Sequence, residues 1–299
     1  MRRLDYATIW TDEESATKWA LDHGLLNQQP KCFKCEGDTK WSEKRQVWYC
    51  RDRKCNRITS LTSRTLFDNI RSIRTFLLLM YEWCSETTIK SASYEYHLTP
   101  SAVSKIYKKI RALASLIYFE SADVAIGGPG ETVEIDECLL AHSKYYRGRV
   151  LSGQIWVFGG ITRGNPLECF IEIVKDRSQD TLIEVIKRRI RPGSTISSDG
   201  WRGYRNLIDL LPEHDFESHK VVNHSKNFVN PEDSEAHTQS IESFWAVFKR
   251  HLKKLGFRKI GGNVNEYFGE VMYRKSHPFG FFEEFVSELN FLYQRLRIN

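Results

Sequence analysis

Apolar residues recur at helical spacing through Arg71–Cys84 (RSIRTFLLLMYEWC) and again through residues 101–119 (SAVSKIYKKIRALASLIYF), so both segments predict amphipathic helices. Between them Thr87–Tyr96 predicts a shorter helix. His97-Leu98-Thr99-Pro100 then predicts a turn and a capped restart, with Thr99 as N-cap and Pro100 at the first helical position. The glycine- and proline-rich segment Asp123–Glu131 (DVAIGGPGE) marks the best domain boundary. Beyond it the pattern shifts to strands at Thr132–Ile135, Gln154–Thr162 and Glu168–Val174, the last two joined by the turn RGNP, with the basic stretch SKYYRGRV (143–150) lying between the first two. A helix over Ser178–Arg191, a strand over Ser194–Ser198, a helix over Trp201–Leu211, a short strand near Phe216–Val222 and a helix from Ser240 towards Leu255 complete the order.

Three meandering strands, then strand–helix alternation, then a terminal helix is the element order of a ribonuclease-H-like α/β domain. The expected organisation is an N-terminal segment with a zinc ribbon (1–62), a helical DNA-binding domain (63–122), a catalytic domain (131–275) and a C-terminal helix (276–299). No stretch approaches 18 consecutive apolar residues, and the N-terminus lacks the apolar core of a signal peptide, so no membrane partner is expected.

Four of the seven cysteines lie close together, as Cys32-x2-Cys35 and Cys50-x4-Cys55 with Trp41, Trp48 and Tyr49 between the pairs. Two such knuckles on a short hairpin describe a zinc ribbon, in which four thiolates bind one Zn²⁺ and metal binding supplies folding energy. Two disulfides are the alternative. Cys84, Cys138 and Cys169 sit in apolar or strand contexts and read as buried thiols.

The net charge of +6 and an isoelectric point near 8.8 favour an acidic partner. Basic residues cluster at Lys105–Arg111, Lys187–Arg191 and Lys249–Lys259. Lys105, Lys108 and Lys109, with Ser101 and Ser104 on the second helix of a tight helical pair, suggest helix-turn-helix DNA binding; a plain packing pair is the alternative.

Three carboxylates carry the candidate chemistry. Asp136 (VEIDECLL) and Asp199 (TISSDGWRGY) each follow a β-prone run, which places them at or near strand ends, and Glu242 (HTQSIESFWAVFKR) lies on a helix. Singly, each could be a turn or capping residue. Together they suit two Mg²⁺ or Mn²⁺ ions, which can activate the attacking oxygen and steady the leaving oxygen of a phosphodiester. Glu137, directly after Asp136, is costly to bring close unless cations or solvent screen the pair.

The motifs EIDE (134–137), WVFGGITRG (156–164), DRS (176–178), SSDGWRGY (197–204), VNHSKNFV (222–229) and HTQSIESFWAVFKR (237–250) resemble, in order and spacing, those of Merlin-type transposases and their bacterial insertion-sequence relatives. The resemblance covers about residues 30–275. It implies that Asp136, Asp199 and Glu242 form the metal-binding triad of a DDE transposase that cleaves transposon ends and joins them to target DNA. Lys249, two helical turns after Glu242, is the expected DNA contact, together with Arg250 and Lys253. Asn223, His224 and His237 are candidates for orienting phosphate or water, or for structural hydrogen bonds. The implied partners are duplex DNA, both terminal inverted repeats and target, and a second copy in a homodimer. The implied location is the cytoplasm in a bacterium or the nucleus in a eukaryote, the nucleus being favoured. A domesticated DNA-binding regulator and a structure-specific nuclease on the same fold are the alternative functions.

Overall fold

The computed structural model describes residues 3–26, 31–43, 45, 47–121, 125–141, 155–222, 237–255, 264–277 and 281–298. The chain forms two compact units, one from Met1–Ile117 with His277–Asn299 and the other from Tyr118–Ser276. Among the described residues no helix is long and apolar enough to cross a membrane.

The first unit contains helices α1 (Arg3–Ile9), α2 (Glu13–Asp22), α3 (Ile73–Cys84), α4 (Ile89–Glu95), α5 (Pro100–Ser121) and, from the far end of the chain, α10 (Phe282–Ile298). It also holds a small antiparallel sheet of β1 (Thr39–Ser42), β2 (Val47–Cys50) and β3 (Ile58–Ser60). The first two helices had no counterpart in the sequence reading. Asp12 and Ser15 form a reciprocal capping box at α2, and Tyr6 and Trp10 stack at 4.7 Å in a buried aromatic cluster that includes Trp19 and Phe282. Glu13 accepts from the Ile73 amide at 2.6 Å and the Ser72 hydroxyl at 2.7 Å, so α2 caps α3. The expected restart of α5 is present: it begins at Pro100, and the Thr99 hydroxyl accepts from the Ala102 amide at 3.2 Å. Buried Glu82 accepts from Thr87 Oγ1 (2.6 Å) and the Tyr96 hydroxyl (2.7 Å), which fixes the chain on either side of α4.

The second unit is a five-stranded sheet in the order β6-β5-β4-β7-β8. Here β4 is Thr132–Ala141, β5 Ile155–Thr162, β6 Asn165–Val174, β7 Thr195–Asp199 and β8 Ser218–Val222. Strands β4, β5 and β6 are antiparallel neighbours, while β7 pairs parallel with β4 and β8 parallel with β7. Alternation along β4 sends Val133 and Ile135 into one core with Leu182, Val185 and Ile186 of α6 (Gln179–Arg189). It sends Cys138 into the other core, with Ile241, Phe244, Trp245 and Phe248 of α8 (Gln239–Lys254) and Phe268 and Val271 of α9 (Val264–Ser276).

Two expected elements differ. The first catalytic-domain strand runs through Asp136 to Ala141 instead of ending at Ile135, because it keeps pairing with β5 after its ladder with β7 stops at Glu134–Ser197. The single helix expected over Trp201–Leu211 is broken into a 3-10 turn at Arg202–Tyr204 and the short α7 (Leu207–Leu210). Arg205 is extended and Asn206 takes a left-handed φ of 56°, which no continuous helix accommodates.

Candidate active site

Asp136 sits where the sheet opens, two residues beyond the end of the β4–β7 ladder and opposite Gly159 of β5. A Cβ on Gly159 would lie 2.8 Å from the Trp245 ring, so glycine there lets α8 settle against the sheet beside Asp136. Asp199 ends β7, and its Oδ1 accepts from the Trp201 amide at 2.9 Å. Glu242 is in the first turn of α8, exposed, with Thr238 Oγ1 donating to its Oε1 at 3.2 Å.

The three acids share one electrostatic neighbourhood. Burial first, then the charges of Asp199 and Glu242, push the Asp136 carboxyl up to about 7, against the lowering by the Glu137 amide and the Trp245 indole. Glu137, on the other face of β4, is also pushed up to about 7, first by burial and then by Asp136 and Asp199. The Tyr204 phenol and the Arg177 guanidinium oppose that rise. Two half-buried carboxyls lifted this far by burial first and by negative neighbours second form a donor set that suits hard divalent cations, whose charge would relieve the repulsion.

The N-terminus of α8 has no capping side chain of its own. Fully buried Glu134 of β4 takes that role from across the fold, accepting from the Ser240 amide at 2.7 Å, the Ile241 amide at 3.1 Å and the Ser240 hydroxyl at 3.0 Å. Arg163 Nε donates to the same carboxylate at 3.0 Å, and its Nη2 donates to the His237 carbonyl at 3.0 Å. Ser197 Oγ donates to that carbonyl as well, at 2.8 Å, and His237 Nδ1 lies 3.3 Å from Glu134 Oε1. His237 is thus part of the anchor that sets α8, and with it Glu242, against β4. Sequence reading gave no role to Glu134 or Arg163; the signal was an acid at a position that alternation along β4 buries. Asn223 and His224 lie outside the described residues.

Lys249, Arg250 and Lys253 are exposed on α8. Lys249 reaches towards β4, close enough that its ammonium opposes the rise that burial forces on the Cys138 thiol, two residues from Asp136. In the first unit Lys105 and Lys108 are exposed at the start of α5. Lys109 departs from the expected outward DNA contact: it is partly buried, and its ammonium donates to the Asp68 carbonyl at 2.9 Å.

The four ribbon cysteines converge, with all ligand atoms within 4.8 Å of one another. Cys32 and Cys55 sulfurs are 3.6 Å apart and Cys35 and Cys50 sulfurs 3.4 Å, close to the edge of about 3.8 Å of a zinc–thiolate tetrahedron with bonds of about 2.3 Å. These separations are far beyond a disulfide bond, and all four are free thiols. The knuckles are built by backbone: the Glu36 amide donates to the Cys32 carbonyl (2.7 Å), the Cys50 amide to Arg57 (2.9 Å), and Glu36 and Asn56 take left-handed φ of 57° and 44°. The Lys34 and Cys35 amides hold the Cys32 thiol down to about 6, while burial pushes the Cys50 thiol up to about 12 and raises the Cys55 thiol; a bound metal ion deprotonates such thiols. The cluster can hold one structural metal ion.

A mixed α/β unit with Asp136 within β4, Asp199 at the end of β7 and Glu242 in the first turn of α8, in a chain with a four-cysteine cluster, is the arrangement found here, and sequence comparison gives it a class: the DDE-type transposases of insertion sequences. Residues 129–276 match the ISXO2-like transposase domain family. An uncharacterized transposase-like protein of Haemophilus influenzae is 32% identical over 82 residues, 27% of this chain, and the chain spans 60% of that relative's length. Two solved structures are more remote: a Mos1 strand transfer complex (9% identity, TM-score 0.20) and a Mos1 transposase paired-end complex with left transposon end (10%, 0.22). Each alignment covers 71% of this chain and 77% of the other. At those scores the likeness carries no argument.

Proposed function

We propose that the protein is a DNA transposase that cuts transposon ends and joins them to target DNA, with a ribonuclease-H-like catalytic domain in residues 131–275. The observation that carries this reading is the shared electrostatics of Asp136, Asp199 and Glu242 within a domain of the ISXO2-like transposase family. Asp136, Asp199 and Glu242 would hold two Mg²⁺ or Mn²⁺ ions, which when bound polarise the attacking and leaving oxygens of a phosphodiester. In the first step water forms a bond to phosphorus and the 3′ oxygen leaves as a free hydroxyl. In the second that hydroxyl attacks a target phosphorus and displaces the target's own 3′ oxygen.

The chain's residues place these reactants. Glu134 and Arg163 set the height of α8 and so of Glu242, the Trp201 amide orients Asp199, and Lys249 brings positive charge to the same helix face. The ribbon cysteines Cys32, Cys35, Cys50 and Cys55 would hold one Zn²⁺, and α4 with α5 would present Lys105 and Lys108 to DNA as a helix-turn-helix.

Asp136→Asn, Asp199→Asn and Glu242→Gln are near-isosteric, remove affinity for divalent ions and should abolish nicking and joining while duplex binding survives. Cleavage at the wild-type rate in Mg²⁺ by any one of them would remove that residue from the triad. Wild-type protein that binds DNA but never nicks it in Mg²⁺ or Mn²⁺ would point to a regulator instead. Cutting without joining a pre-cut end to a plasmid would point to a nuclease.

A further inference from the structure

Arg177 has a setting unlike the bonded arginines of the second unit. Its guanidinium carbon lies 3.6 Å from the centroid of the Trp201 ring and 4.9 Å from that of Trp156. Arg163 and Arg189 direct their guanidinium groups onto the carboxylates of Glu134 and Glu172, whereas the Arg177 guanidinium donates to no acceptor among the described residues. Its backbone is tightly held: the Trp201 indole N–H donates to the Arg177 carbonyl at 3.4 Å, and Gly203 leaves the room that ring needs, since a Cβ there would come within 2.8 Å of Trp201 Nε1.

The same tryptophan belongs to the acidic site, because its amide is the donor that orients Asp199. Arg177 is also near enough to Glu137 for the two charges to interact, and Glu137 interacts in turn with Asp136 and Asp199. With its carbon over two indole rings and no acceptor bonded among the described residues, the guanidinium has N–H groups to offer a ligand. The acceptor that best matches this planar fork is an oxyanion bound through two oxygens, and on nucleic acid that is a backbone phosphate.

We infer that Arg177, braced on Trp201 and Trp156, is a binding residue for a phosphodiester of the DNA strand lying against the Asp136–Asp199 site. This rests on the proposed transposase function and adds to it a specific contact, separate from the basic face of α8. The bracing matters because Glu137 interacts with Arg177 as well as with Asp136 and Asp199, and a cation held by two rings draws a phosphate towards these acids without itself folding over onto Glu137. Asp176, the acid beside it, is already bonded to the Ser178 amide and hydroxyl and to the Thr181 hydroxyl at 2.6–2.9 Å.

The test uses the full chain and a fluorescein-labelled random-sequence duplex with one frayed end, titrated over a salt series in EDTA so that no cleavage occurs. Arg177→Met keeps an apolar stem over the two rings and removes the charge. It should bind more weakly and lower the salt slope by about 0.9 if the contact is to duplex, or about 0.7 if to single strand. Arg177→Lys should restore the slope while leaving affinity below wild type, because an ammonium cannot make the planar two-point contact. Wild-type affinity and slope in Arg177→Met would overturn the inference, as would full affinity in Arg177→Lys. Asp136→Asn, assayed in parallel for plasmid nicking in Mn²⁺, separates the two readings. If wild type never nicks, the transposase assignment fails whatever Arg177 does; if wild type nicks and Asp136→Asn is inactive while Arg177→Met binds normally, only the phosphate contact fails.

Discussion

Replacing Glu134 with alanine would test whether one buried carboxylate sets the position of α8. The change removes the acceptor of the Ser240 and Ile241 amides and leaves Arg163, whose side chain is only 18% exposed, without its partner carboxylate. Deleting one member of a buried ion pair costs about 3–5 kcal/mol, and each buried donor left unpaired costs about 1–3 kcal/mol. Because all these donors converge on the same two oxygens their costs overlap, so the expected total is about 3–5 kcal/mol and not their sum. For a unit of this size that lowers the melting temperature by on the order of 10 °C. Glu134→Gln keeps the volume and one acceptor oxygen and should lose less than half as much. Thermal melts give the total, and hydrogen exchange at the Ser240 and Ile241 amides gives the local part, which should quicken in both variants. A destabilisation by Glu134→Ala below about 1 kcal/mol, the level of an ordinary surface hydrogen bond, together with unchanged exchange at those two amides, would refute the anchor.

Two further outcomes are expected. Purified protein should contain about one zinc per chain, and Cys32→Ser should lose it along with the ordered ribbon; elemental analysis without zinc in protein prepared free of chelator would sink the assignment. Lys249→Ala should weaken DNA binding and cleavage together and lower the duplex salt slope by about 0.9, and an unchanged slope with unchanged affinity would make Lys249 an ordinary solvated side chain.

The pattern of apolar positions was enough to place most strands and helices, because burial on one or both faces of a sheet leaves a periodic mark. The helices α1 and α2 left a weaker one. They are short, and their core is a cluster of tryptophan and tyrosine rings that meets α3 and α10, partners remote in sequence. The break at Asn206 was illegible for a related reason. Its cause is a left-handed backbone, which asparagine permits but does not require.

The acids divide in the same way, and that division explains what the site needs. Asp199 and Glu242 stand out because one ends a strand and the other opens a helix, whereas Asp136 stands out as an acid in an apolar run that the fold continues as strand. Glu134 and Glu137 flank Asp136 but face opposite sides of β4, one towards the end of α8 and the other towards Tyr204 and Arg177. Which neighbour an acid meets depends on strand alternation combined with the crossing of chain segments as far apart as residues 134 and 240. Loss of either flanking acid would therefore act through a different partner. Glu134 acts on the height of the helix that carries Glu242, whereas Glu137 acts on the charge felt by Asp136 and Asp199. Asp136 sits between a structural anchor on one face of β4 and an electrostatic neighbour on the other, and only the fold distinguishes the two.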